Sequence, residues 1–324
     1  MKGFDEQFQD FPDYILKITK EIWEDRGIHT LHRYYAPDIV VRTPMGVSIG
    51  NQAVIGATMA TLAEFPDRQL LGEDVIWSGS PEAGMLSSHR IFSTATHLGD
   101  GAYGKASGKH FRYRILADCH AKNNQIDDEW LIRDSGAIVR QLDLTPEAFA
   151  RAHIQREGGS DNCPPVFTPE RDIEGPYKGL GNDNEWGQRY GDIVSQLMQA
   201  NMAIVKRDYD RACQVEYAGG VTGHGWDAVD RFWTPLRAAL PNAVFSIEHQ
   251  IGNDDAMMSP RAAIRWSLRG KHTGWGVFGA PTGADIYVMG IGHAEFGPRG
   301  IRREYVLYDE LSVWKQILLH TGAA

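Results

Sequence analysis

The sequence predicts an α+β fold built twice in tandem, with helices packed on a curved antiparallel sheet in each copy. The first observation is an internal repeat, the feature that decides a fold before any single element does. One shift of 175 positions carries His97 onto His272, Glu129 onto Glu304, Asp134 onto Asp309 and Gln141 onto Gln316. The same shift pairs Ile18 with Ile193, Tyr34 with Tyr209, Gly50 with Gly225, Pro66 with Pro241, Arg90 with Arg265, and Gly104 and Gly108 with Gly279 and Gly283. The second observation is that each copy opens with helical spacing and continues with a period of two. The third is bulk composition: 324 residues, 42% hydrophobic and 23% charged, describe a globular chain long enough for two domains.

The copies span 8–143 and 184–318, joined by a linker at 144–183. In the first, Phe11, Tyr14, Ile15, Ile18, Ile22 and Trp23 recur at helical spacing. A short helix follows around 28–35, and a third from Asn51 as N-cap to about Phe65, stopped by Pro66. In the second copy a helix through Trp226, Val229 and Trp233 ends before Pro241. The remainder reads as strands. In RAAIRWSLRGKH, 261–272, Ala262, Ile264, Trp266, Leu268 and His272 share one face and Arg261, Arg265, Arg269 and Lys271 the other. Phe111, Tyr113 and Ile115 point inward on the next strand, matched by Ile286 and Val288. On the last strand the expected inner face is Trp130, Ile132 and Asp134, repeated as Tyr305, Leu307 and Asp309, with Arg90, Arg265, Glu129 and Glu304 outward. Gly158-Gly159 and Pro164-Pro165 make the linker an irregular strap.

A carboxylate on an apolar face is costly unless paired or protonated, and its pKa rises toward the range of a proton shuttle. Asp134 and Asp309 are therefore catalytic candidates, against the plainer reading of turn-capping aspartates. His97 and His272, on the inward register before a glycine-rich turn, are candidate acid/base or hydrogen-bonding groups, against the reading of interior histidines bonded to backbone. Trp23, Tyr34, Trp130, Tyr305 and Trp266 are the candidate substrate-binding aromatics. His29 and His32 lack a companion carboxylate cluster, and the inward histidines lack a second ligand at metal spacing, so no metal site is expected.

The formal charge of −9 argues against a nucleic-acid partner. Cys119, Cys163 and Cys213 are odd in number and form no CxxC pair, which fits neither a disulfide framework nor zinc. The opening MKGFDEQFQDFPDY has no apolar signal segment and no run is long enough to cross a membrane, so a cytoplasmic location is expected.

HTGWGVFGAPTG at 272–283 and EWLIRDSGAIVRQL at 129–142 resemble the glycine turn and terminal strand of the SnoaL-like polyketide cyclase (ester cyclase) family, within the nuclear-transport-factor-2-like (NTF2-like) superfamily. The resemblance spans both copies. It implies two cone-shaped barrels forming a pseudo-dimer within one chain, each with a deep pocket between helices and sheet. It also implies acid/base chemistry, without metal or cofactor, on a small hydrophobic carbonyl compound. The family's aspartate on the last strand corresponds to Asp134 and Asp309. Where the family often has histidine before the aromatic, this chain has Glu129 and Glu304. A dehydratase or isomerase of the same superfamily, and a non-catalytic small-molecule-binding module, stay open as alternatives, as does a further homo-oligomer.

Overall fold

Asp10 starts the first helix by accepting the Asp13 N–H at 2.8 Å, with Pro12 in the opening turn. In the computed structural model, which describes residues 1–323, α1 (Phe11–Thr19) runs into a π-helical turn, Lys20–Glu24. A short α2 (Leu31–Tyr34) leads into β1 (Tyr35–Thr43) and β2 (Gly46–Ile49), then α3 (Asn51–Glu64). Four strands follow, β3 (Gln69–Ser80), β4 (Gly84–Thr96), β5 (His110–Lys122) and β6 (Gln125–Arg133), and α4 (Ser135–Gln141) closes the unit. The second unit repeats this after α5 (Pro146–Arg156). It contains α6 (Glu185–Met198), α7 (Ile204–Asp208), β7 (Tyr209–Tyr217), β8 (Val221–His224) and α8 (Trp226–Ala239), then β9 (Val244–Asn253), β10 (Arg261–Lys271), β11 (Asp285–Gly297), β12 (Gly300–Tyr308) and α9 (Glu310–Thr321).

The sheets have the same strand order, β2-β1-β6-β5-β4-β3 and β8-β7-β12-β11-β10-β9. Identical orders with one parallel pair at the same place, β1 with β6 and β7 with β12, are what a duplicated unit requires. The sheets are open, not closed barrels. The strands β1 and β2, between the second and third helices, add to the helix-then-strand order expected from the sequence. Asn51 is the first helical residue of α3, not its cap; Gly50 takes that place, and the Asn51 amide donates to Tyr35 O. The linker carries the helix α5, which packs along α9, and is irregular only outside it.

One face of each sheet packs on its own helices. The other packs on the opposite sheet, where Leu116 and Ile132 meet Met289, Ile291 and Leu307, and Ile76 and Leu86 meet Ile251 and Ala263. This seam is unusually polar for a core, and its charges are paired. Arg265 donates to Asp118 at 2.7 Å, and Arg140 clamps Glu310 through two bonds of 2.5 and 2.8 Å. Arg265 stacks on Trp130 at 3.8 Å and Arg90 on Tyr305 at 3.7 Å, a reciprocal pattern expected of a two-fold arrangement.

Candidate active site in the first unit

Between α1, α3 and the first sheet lies a cavity of about 340 Å³, within the range of small-molecule sites. Its roof comes from Ile15 and Ile18 of α1, Trp23 of the π turn, and Thr58 and Thr61 of α3. A π turn inside an α-helix is rarely there without purpose; here it carries Trp23 into the roof. The floor is built by alternate residues of three strands: His89 and Ile91, Ile115, Ala117 and Cys119, and Glu129, Leu131 and Arg133.

The floor's titratable groups on β4 and β5 and at the centre of β6 are Glu129, His89 and Cys119. Glu129 is buried, and burial lifts its carboxyl to about 7, with the Tyr35 hydroxyl beside it pulling weakly the other way. A carboxyl poised there can both take and return a proton near neutral pH. Burial, helped by the Arg90 charge, holds His89 down at about 3, so its imidazole is neutral; its Nε2 has no protein partner. Cys119 is pushed well up by burial and stays a thiol.

The expected catalytic residues scatter. Asp134 lies outside the cavity. The strand ends at Arg133, and Asp134 caps α4, accepting N–H groups from Ala137 at 3.0 Å, Gly219 at 2.8 Å and Gly220 at 2.9 Å. Burial raises it to about 6 all the same. Asp309 caps α9 through Leu311 N–H at 3.0 Å, yet it belongs to the wall of the first unit's cavity, reached across the seam; burial lifts it to about 7. His97 and His272 do not line the cavity. Their Nδ1 atoms meet Ser107 Oγ at 3.1 Å and Thr282 Oγ1 at 3.0 Å, tying the glycine-rich loops to the strand ends. The inward Asp–His pair is not assembled in either unit.

The aromatic candidates divide likewise. Trp23 lines the cavity. Tyr34 turns to Glu21, donating at 3.1 Å, and its neighbour Tyr35 lines the cavity instead. The pairing of Tyr35 with Ile126 mirrors that of Tyr209 with Ile301, so the repeat slips by one residue across β1 and Tyr209 corresponds to Tyr35. Trp130 and Tyr305 lie in the seam under arginines. Trp266 fills the second unit's core.

That second core shows what became of the other cavity. Glu304, fully buried, accepts from Tyr190 at 3.0 Å, Tyr209 at 2.9 Å and also Tyr217. Trp233 and Trp266 occupy the space between, and β11 admits them through glycine: a Cβ on Gly290 would lie 2.1 Å from the Trp266 ring, and one on Gly292 2.5 Å from the Tyr190 hydroxyl. Ile115 and Ala117 stand at the matching places in the first unit.

Glu129, Tyr35, His89, Arg68 and Arg133 are the cavity groups that sequence reading missed. Glu129 and Glu304 had been placed outward; both point inward, because on β6 and β12 it is Trp130 and Tyr305 that face the seam. The survival of both glutamates through the duplication was the available signal.

Residues 13–142 match the family model of SnoaL-like polyketide cyclases. No curated protein matches the chain. Among solved structures it is similar to IdmH from Streptomyces antibioticus, at 22% identity over 41% of this chain and 97% of that one, TM-score 0.36. It is also similar to a SnoaL-like polyketide cyclase from Agrobacterium tumefaciens, at 17% identity over 40% and 95%, TM-score 0.33. A third is an NTF2-like protein from Cytophaga hutchinsonii, at 13% identity over 38% and 98%, TM-score 0.30. The chain is thus a tandem of two α+β units with one strand order, the first of which is similar, over residues 13–142, to the SnoaL-like polyketide cyclases.

Proposed function

We propose that the first unit is an enzyme performing acid/base chemistry on a small hydrophobic carbonyl compound, with Glu129 as the proton shuttle. The observation that carries this is the buried Glu129 carboxyl, lifted to about 7 and set among the apolar residues of the cavity floor, whereas the cavity's other raised carboxyl, Asp309, is engaged in capping α9. In the reaction Glu129 takes the proton α to a carbonyl. The C–H electron pair forms the new C=C bond as the carbonyl π pair moves to oxygen, where the neutral His89 imidazole donates a hydrogen bond to the enolate. In a cyclisation the enolate carbon attacks a second carbonyl of the same molecule, and the protonated Glu129 returns its proton to the new alkoxide. Trp23 and the isoleucines hold the substrate body and exclude water. Isomerisation or dehydration would begin with the same proton abstraction, so the base is common to all three outcomes.

The test is exchange of α-hydrogens in D2O for apolar ketones such as 2-tetralone, followed by NMR. Acceleration by the protein that Glu129→Gln abolishes supports the proposal. Exchange unaffected by that substitution removes Glu129 as the base, and ketone binding without exchange favours the binding-module alternative.

A further inference from the structure

We infer that the cavity takes substrates carrying a carboxylate, held by Arg68 and Arg133 at the end where the two units meet. This rests on the cavity being the reaction site and adds the substrate class. Both arginines line the cavity, Arg68 is 6% exposed, and the Nε of each is buried without a hydrogen-bond partner. Neither forms an ion pair among the described residues, whereas Arg42, Arg90, Arg261 and Arg265, as buried as Arg68, all do. Their neighbours are phenols, Tyr113 beside both and Tyr103 beside Arg133. The nearest acids act only at a distance and are engaged elsewhere: Glu24 accepts Leu70 N–H, and Asp309 caps α9. The two guanidiniums are close enough to repel each other.

Two like charges out of water with no carboxylate in direct contact are strongly unfavourable, and a guanidinium's fork of donors is shaped for a carboxylate. With Asp309 ionised, the group carries one net positive charge, which one carboxylate balances and a phosphate dianion would overshoot. The rest of the wall is apolar, so the occupant has a hydrophobic body. Because Asp309 comes from the second unit, that unit takes part in setting the charge the ligand meets.

Benzoate, 1-naphthoate and decanoate, each against its methyl ester, test this by calorimetric titration at pH 8. The acids should bind and the esters bind at least about 10-fold more weakly, with Arg68→Gln or Arg133→Gln removing about 10–100-fold of acid affinity and leaving the esters unchanged. Arg68→Lys should recover part of the loss. Thermal melting separates ligand binding from structural damage: removing an unpaired buried charge should leave each Gln variant melting no lower than the parent. Equal binding of acids and esters, or Gln variants that keep the preference, overturns the carboxylate subsite and leaves the acid/base reading standing. No binding of any acid or ester overturns both.

Discussion

At the scale of single residues, one chemical group in two surroundings gives two roles. Glu304 is satisfied by three phenols and anchors its core; Glu129, with one phenol and a cavity before it, is the proton shuttle proposed above. As a base Glu129 must be ionised, so activity should climb with pH through about 7. Glu129→Gln should lower kcat/KM by about 10²–10⁴-fold and flatten that limb, read from a pH–rate profile. Its stability effect has the opposite sense. The folded carboxyl binds its proton more tightly than the ordinary value of 4.5, so the stabilisation it contributes is complete below that pH and is lost as pH rises through about 7. The Gln variant should therefore gain about 1–3 kcal/mol relative to the parent between pH 5 and pH 8, measured by urea unfolding. The comparison must be between variants, because His89 and His249, both held at about 3 by burial, push whole-protein stability the other way as pH falls.

At the scale of elements, β6 shows how far sequence can be read. Its alternation is plain, and the strand, its neighbours and the long helices were legible from period alone. Which face is the inside was not. Both faces are buried, one by the unit's helices and one by the other sheet, so Trp130 and Ile132 carry the same apolar signal as a pocket wall. The one-residue slip across β1 hid Tyr35 behind Tyr34 for a similar reason: adjacent tyrosines are indistinguishable until register is known. The junction after β6 gives the matching prediction. Asp134 gathers three backbone N–H groups from α4 and from the turn at Gly219 and Gly220. Asp134→Ala should cost about 1–3 kcal/mol in denaturant unfolding, while activity per folded molecule is retained.

At the scale of the molecule, the two units share a strand order and differ in their interiors, one open and one filled. The seam depends on desolvated pairs whose separation is expensive: Arg265→Met strands Asp118 and should cost about 3–5 kcal/mol, seen as a lower denaturant midpoint. In the second unit, Glu304→Leu leaves three buried hydroxyls without an acceptor and should cost about 3 kcal/mol or more. If the second unit has no turnover of its own, the surviving folded fraction keeps its kcat. A drop in kcat without unfolding would assign the second core a part in the reaction.

The covalent strap acquires a further meaning from Asp309 crossing the seam. Had the two units been separate subunits, they would sort into like pairs as well as mixed ones. Only a mixed pair would set an open chamber against the unit that supplies Asp309. A pair of open units could offer only Asp134 at that position, and a pair of filled units would have no chamber. Fusion makes every assembly the mixed one and removes dilution as a route to falling apart. The melting temperature of the intact chain should therefore not change over a hundredfold range of protein concentration. A single nick in the strap, followed by dilution, should make it do so.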